Sequence, residues 1–446
     1  MRALDFLARQ KGCYGPKSMF KRIFILFLFL AALASAGLFL LVRNDEVWAR
    51  RVSAVPLYAR TYLHSLQPTP ALPTPPPVAA DSRQRLLAAR ATLAPPVISV
   101  ENSLPATFTP RPDAPTPTLL PSPTPTRAAT ATPPLSPVAT RVALGGIQHA
   151  YQLWNNCGPV TIAMNLSYYG IWPDQREVAA ELKPNQDDKN VSPEQLAAYA
   201  ASQGFASTVR VGGTVTLLQR LLSNGFPVIV EDWVEPEDRG GIGHYRLFTG
   251  YDTAEGVFFS HDSLYGPNRQ VPMDGFDATW RVFNRKYIVV YRPQEEEKVK
   301  LALGAAADDE AMLAQALAVA QQEAQADAND PFAWFNLGST YTLMDEPALA
   351  ASAFDEARRL GLPMRMLWYQ LEIFEAYLGA GRYQDVVELG EATAQTTQGH
   401  EEVYYYLGVA NAAQDKQDVA VSYWRKALEY NPNYAPAARK LQQLGQ

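Results

Sequence analysis

Twenty consecutive uncharged, mostly apolar positions run from Ile23 to Val42. At 1.5 Å of rise per helical residue this run matches a hydrocarbon layer about 30 Å thick, so it predicts a single transmembrane helix over 23–42. Over 43–143 the apolar periodicity disappears. The stretch between Gln67 and Pro137 is dominated by Pro, Thr, Ser and Ala, with 19 prolines from Pro68 to Pro137. Such a sequence has too few large apolar side chains to offset backbone entropy and favours extended polyproline conformations, which predicts a disordered stalk. A short interruption, Asp81 to Leu93, has the spacing of a transient helix. From 144 to 293 helical and strand-like patterns alternate. They predict helices at Cys157 to Tyr169, Pro193 to Ser202 and Thr214 to Ser223, and strands at Val228 to Trp233, Arg246 to Tyr251, Val257 to His261 and Tyr287 to Tyr291. This is an α+β pattern. From 294 to 446 the chain is rich in Ala, Leu, Glu and Gln at helical spacing, and reads as all-α.

The all-α part repeats itself. Trp334, Leu337, Gly338, Tyr341, Ala350, Phe354 and Ala357 recur at the same offsets as Tyr404, Leu407, Gly408, Asn411, Ala420, Trp424 and Ala427, followed by Pro432. Tyr377, Gly381-Arg382-Tyr383 and Val386 hold the frame more loosely between them, while Gly390 and Thr393 depart from it. The array resembles tetratricopeptide repeats, helix pairs in which small residues let two helices approach and a large one fills the space towards the next pair. The resemblance implies a surface for a protein partner or for substrate; a packing module or dimerisation surface is the alternative.

Charge sets the expected topology. Arg2, Arg9, Lys11, Lys17, Lys21 and Arg22 precede the apolar run, against Asp5, whereas Asp45 and Glu46 dilute the basic residues after it. This places a basic segment, 1–22, in the cytoplasm and everything after 43 outside the cell membrane. The alternative is a cleaved signal peptide at Ala34-Ser35-Ala36, which the length of the apolar run disfavours. Formal net charge is −6 with no long basic stripe, so a nucleic-acid partner is not expected. Of the two cysteines, Cys13 falls in the cytoplasmic segment, where it is an idle thiol or an acylation site.

Cys157 is then an extracytoplasmic cysteine without an intramolecular disulfide partner. In Asn155-Asn156-Cys157-Gly158-Pro159 it stands at a helix start, where the dipole favours the thiolate; Gly158 is read as admitting an unusual turn and Pro159 as the first helical residue. A buried, inert thiol is the competing reading. A cysteine nucleophile needs a base, a group to orient it and donors for the oxyanion. His244 follows Gly240-Gly241-Ile242-Gly243 and opens a strand. Asp262 ends the next strand, and antiparallel pairing would bring it to His244. Gln152 lies five residues before the cysteine and offers an amide to the oxyanion beside the backbone N–H of Cys157. His149 reads as a surface residue, His261 as a strand end and Asp252 as a hairpin turn residue. The 240–243 glycines read as a flexible lip, with Trp233, Glu235, Glu237 and Asp238 bordering the cleft. No histidine or cysteine spacing matches a metal site, and no cofactor is expected.

Gln152-x-x-Asn155-Asn156-Cys157-Gly158-Pro159, Gly243-His244-Tyr245 leading into Gly250-Tyr251-Asp252, and His261-Asp262 together resemble the papain-like cysteine peptidases related to the bacteriocin-processing, double-glycine-cleaving peptidase. The resemblance covers 144–293 and implies a papain-like fold with Cys157 as nucleophile, His244 as base, Asp262 as the orienting acid and Gln152 in the oxyanion hole. Gln152 stands one residue nearer the cysteine than in papain-like enzymes generally, so Gln148 or a backbone donor is the alternative. The transporter-borne relatives carry this domain in the cytoplasm, whereas here one span and a stalk place it outside. The sequence therefore predicts a membrane-anchored extracytoplasmic cysteine peptidase acting on a peptide or protein substrate. A non-catalytic peptide-binding adaptor, or an acyl-transfer enzyme using the same cysteine, are the competing functions.

Overall fold

Strand runs that are apolar at nearly every position predict a sheet covered on both faces, and the computed structural model has one. The structure describes residues 71–77, 82–88, 135–234, 241–397 and 400–445. The chain divides into two compact units, Met1–Pro68 and Thr69–Gln446, and the described residues lie in the second. The expected cytoplasmic segment 1–22 and transmembrane helix 23–42 lie outside them. Among the described residues no helix is long and apolar enough to cross a membrane.

In chain order, helix α1 (Ser82–Ala88) is followed by β1 (Arg141–Ala143), α2 (Cys157–Ser167), α3 (Gln175–Leu182), α4 (Pro193–Ser202), β2 (Ala206–Arg210), α5 (Val215–Ser223), β3 (Val228–Val234), β4 (Ile242–Asp252), β5 (Val257–Asp262), β6 (Gly266–Pro272), α6 (Met273–Trp280) and β7 (Tyr287–Tyr291). All strand pairs are antiparallel, in the order β2-β7-β3-β4-β5-β6, with β1 on the second half of β4. Ile229, Tyr245, Leu247, Ile288 and Val290 face one core with α2, α3 and α4. Their alternates Val228, Val230, Phe248, Tyr287 and Val289 face another with α5 and α6. The period-2 alternation of a strand thus feeds two cores at once, and this is why every residue of β3 is buried.

The helices start where their caps predict. Ser192 and Gln195 form a reciprocal capping box at α4, and Thr214 caps α5 by accepting the Leu217 N–H. Helix α7 (Glu296–Leu303) places Val299, Ala302 and Leu303 in the core of α5 and α6. At the other end β1 pairs with Gly250–Asp252, and Leu135 packs on the same core. By packing, the α+β region therefore extends past both ends of 144–293.

The helical C-terminal region comprises α8 (Asp309–Ala326), α9 (Pro331–Leu343), α10 (Pro347–Arg359), α11 (Glu372–Gly379), α12 (Tyr383–Thr397), α13 (Glu401–Ala412), α14 (Gln417–Tyr430) and α15 (Ala435–Gln443), with a 3-10 turn at Met364–Trp368. A methyl group on Gly338 would meet the Phe354 ring at 2.8 Å, and one on Gly408 the Trp424 ring at 2.4 Å, so the small and large repeat positions interlock as a pair. This region packs on the α+β region through buried polar contacts. The Asn336 amide donates to Arg281 O at 2.7 Å, Gln370 donates to Val282 O at 3.0 Å, and Lys286 pairs with Glu372 at 3.0 Å.

The stretch expected to be a disordered stalk, 43–143, departs from that expectation in its described parts. Residues 71–77 and α1 pack on the helical region, where Leu86 is 1% exposed in the same core as Trp334 and Tyr341. Residues 135–143 lie against the sheet. Composition misses this because Leu72, Leu86 and Val142 bury their side chains on surfaces supplied by distant chain.

Candidate active site

Cys157 is the first residue of α2, and the loop before it is built to hold it there. Asn155 adopts φ +50, a left-handed conformation that asparagine tolerates. The Asn156 side chain, 3% exposed, donates to the Gln175 side-chain oxygen at 2.9 Å instead of capping the helix. Gln175 also accepts the Leu153 N–H at 2.8 Å and donates to Tyr151 O at 2.9 Å, fixing the whole 151–156 turn. Two expectations about this motif are corrected. Gly158 has no positive φ; a side chain there would press on Val191, with Cβ atoms 3.2 Å apart, so its role is close packing. Pro159 occupies the third helical position, still within the first turn, where a missing N–H costs no intrahelical bond.

Across the sheet, strand register brings His244 to Asp262. Asp262 on β5 stands opposite Arg246 on β4, and His244 lies two residues earlier on the same face. His244 Nε2 meets Asp262 Oδ1 at 3.0 Å, with both side chains buried. With Nε2 engaged, Nδ1 is the imidazole nitrogen left for a second partner, and Cys157 is near enough to raise the His244 pKa. Asp262 Oδ1 also accepts the N–H groups of Leu264 and Tyr265 at 2.8 and 2.9 Å. The sequence predicts His244 at the edge of a strand that it opens, Tyr245 to Gly250. Strand β4 begins at Ile242, so His244 is inside it, paired with Asp232 and 1% exposed.

Burial lowers the His244 pKa, but the Asp262 charge and hydrogen bond, together with Cys157, outweigh it and hold the imidazole charged up to about 10. Burial raises the Cys157 thiol, and the His244 hydrogen bond and charge, with backbone bonds from Tyr245 and Gly158, bring it below an ordinary thiol. Asp262 is pushed up by burial and pulled down further by His244 and Arg246, which keeps it ionised. The electrostatics therefore favour a thiolate–imidazolium pair backed by a carboxylate.

Gln152 joins the same loop. Its N–H donates to Ser263 O at 2.9 Å and its Oε1 accepts from Ser263 Oγ at 2.9 Å, which leaves the amide NH₂ as the end able to donate onward. Gln148 is held through its N–H to Ser167 Oγ at 2.8 Å. His149 is not a surface residue: it is half-buried, and its Nε2 bonds Asp262 O at 2.9 Å. His261 Nδ1 accepts the Asn268 N–H, and burial lowers its pKa. Asp252 accepts the N–H groups of Ala254 and Glu255 in the β4–β5 turn.

The expected lip is anchored at its described end, while Glu235, Glu237 and Asp238 lie outside the described residues. Gly241 has φ +78 and lies on the Trp233 ring, its O accepting from Arg365 Nη1 at 3.3 Å. A methyl group on Gly243 would sit 2.8 Å from the Tyr369 ring. Trp233 is accordingly buried at 3% among Phe283, Phe332 and Tyr369 rather than bordering a cleft. The sequence did not mark a role for Arg246, whose Nε lies 3.1 Å from Asp232 Oδ1 and 3.4 Å from Asp262 Oδ2, or for Tyr369, whose ring the helical region brings against Gly243. Arg246 two positions after the histidine was the available signal; nothing local marks Tyr369.

A cavity of about 620 Å³ opens at the seam of the two regions, bordered by Glu194, Lys286, Tyr369, Glu375 and Tyr406. Among the described residues, Asp188, Glu401 and Glu402 are the one group whose ligand atoms are close enough to share a cation, all within 4.8 Å. Glu402 is paired with His400 Nδ1 at 2.8 Å.

Three solved structures resemble part of the chain. One described as a C39-like peptidase from Bacillus anthracis is 19% identical with TM-score 0.28, covering 34% of this chain and 98% of that one. A double-glycine motif protease from an AMS/PCAT transporter, in complex with its leader peptide, is 18% identical with TM-score 0.26, covering 34% and 94%. The peptidase domain of Streptococcus ComA, a bifunctional ABC transporter of a quorum-sensing pathway, is 16% identical with TM-score 0.27, covering 33% and 99%. No curated protein matches the sequence. Residues 145–288, which carry Cys157, His244 and Asp262, match the family model described as Peptidase_C39 like family, and this stretch is a C39-like α+β domain with an antiparallel sheet.

Proposed function

We propose that this protein is a membrane-anchored extracytoplasmic cysteine peptidase. The observation that carries the activity is the buried His244–Asp262 contact of 3.0 Å, with Cys157 at the first turn of α2, close enough for the His244 charge to lower its thiol pKa. In this reading the Cys157 thiolate attacks a peptide carbonyl. The oxyanion is met by the Gln152 amide and the Cys157 backbone N–H, and His244 Nδ1 passes its proton to the departing amine. A water then gives its proton to His244 as it attacks the thioester, releasing acid and free thiolate. Asp262 keeps the imidazole oriented and balances its charge throughout.

The apolar run 23–42 and the charge asymmetry around it support the anchor and the extracytoplasmic placement. The matched repeat offsets support a tetratricopeptide array, and its role here is to position a peptide or protein substrate, because Tyr369 of the helical region packs on Gly243, next to His244, and also lines the seam cavity with Glu375. Mass spectrometry of a peptide library incubated with the full chain and with Cys157→Ala tests the activity. Cleavage confined to the unaltered chain supports a peptidase, joined peptides would make it an acyl-transfer enzyme, and no difference with a thiol slow towards iodoacetamide would leave an adaptor. Protease digestion of intact cells tests the placement: loss of a C-terminal tag supports it, and a protected tag overturns it.

A further inference from the structure

We propose that the helical region is the receptor for two stretches of its own chain, residues 71–77 and 82–88, which occupy a groove on α8, α9 and α10 as a resident ligand and clasp the stalk in cis. The contacts join residues more than 230 positions apart. Tyr341 Oη donates to Leu86 O at 2.7 Å, Gln321 Nε2 donates to the same oxygen at 3.2 Å, and Arg358 Nη2 donates to Pro73 O at 2.6 Å. Arg83 pairs with Glu356, and its guanidinium lies 5.6 Å from the centre of the Trp334 ring. Leu86 is buried in the groove, and Leu72 packs on the same core.

A seven-residue helix has no stability of its own in water, so α1 exists because the groove holds it. The groove reads one chemistry: a proline-containing stretch without regular secondary structure whose backbone carbonyl meets an arginine, and a short helix offering leucine and arginine. Docking also sets the tether. A chain of residues 43–143 has an extended limit of about 310 Å, whereas residues 43–70 reach about 90 Å at most. Because the segment is covalently attached, its effective concentration is on the order of millimolar, and a free peptide at micromolar concentration cannot displace it.

The test uses the full chain and a labelled peptide of residues 69–90. The unaltered chain should bind the peptide at least about tenfold more weakly than the Arg83→Glu, Leu86→Glu double variant, in which the resident segment is released. Adding Glu356→Arg to that variant should remove the binding again. An unchanged rate of Cys157 alkylation shows that the variants are folded. Equal binding by the unaltered chain and the double variant, or none by either, overturns the proposal. Hydrogen exchange on the unaltered chain decides independently of any variant: protected amides over 82–88 support docking, and exchange at unprotected rates overturns it. A dimer that dissociates in the double variant overturns the clasp in cis in favour of exchange between two copies.

Discussion

His244, Asp262 and Arg246 act as one electrostatic unit, and each can be perturbed separately. Replacing Asp262 by Asn removes the charge that holds the imidazole cationic. Turnover of a peptide substrate should fall about 10²–10⁴-fold, and alkylation of Cys157 should require a higher pH. The sign of the stability change follows from the two pKa directions. The Asp262 carboxyl is lowered from 3.8, so its contribution is present above about pH 4 and is lost as pH falls. His244 is raised from 6.5 to about 10, so its contribution is complete below pH 6.5 and is lost as pH rises towards 10. The drop in melting temperature caused by Asp262→Asn should therefore be largest between about pH 4 and 6.5 and shrink towards pH 10; a drop that grows with pH in calorimetric scans would contradict the ion pair. The spacing of Arg246 from His244 is visible in the chain, but its role is not, because that depends on two partners, Asp232 and Asp262, contributed by the strands on either side of β4.

At the level of elements, β4 carries the histidine and is packed without slack. Gly243→Ala would put a methyl group 2.8 Å from the Tyr369 ring and 2.9 Å from the Phe283 ring. Overpacking of this kind costs about 1–3 kcal/mol, readable in urea unfolding, and should also lower turnover by shifting His244. Adding Tyr369→Ala opens the space and should restore part of the turnover; no recovery would place the cost elsewhere. Helices α2, α4 and α5 were legible because caps and apolar spacing are local signals. Strand β6, Gly266–Pro272, was not, since Asn268, Arg269 and Gln270 are exposed and β propensity is weak there. Short strand β1 exists only through its pairing with Gly250–Asp252.

On the scale of the molecule, the helical and α+β regions share polar contacts that are buried rather than superficial. Lys286 and Glu372 are 8% and 14% exposed at 3.0 Å. Lys286→Met should destabilise the chain by about 3–5 kcal/mol, because it leaves the Glu372 carboxylate without its partner, and the double variant Lys286→Met, Glu372→Leu should recover most of that loss. Denaturant unfolding followed by tryptophan fluorescence measures both. A single variant as stable as the unaltered chain would mean that this ion pair adds nothing to folding. The seam also changes how the repeats are understood, because Asn336, Gln370 and Glu372 are spent on the α+β region and are not offered to a separate partner.

The sequence alone determined the order of the parts: an apolar run, a proline-rich stretch, an α+β region and an array of helix pairs. It also singled out Cys157, His244 and Asp262, because the Asn-Asn-Cys-Gly-Pro motif carries its geometry locally and the strands of His244 and Asp262 are consecutive, antiparallel and joined by a short turn. Only the tertiary structure decided that Tyr369 lies against Gly243, that Asp232 and Arg246 complete the polar face, and that residues 71–77 and 82–88 lie on helices more than 230 residues away. Those outcomes depend on which surfaces meet, and surface complementarity between distant segments leaves no periodic trace in the chain that forms it.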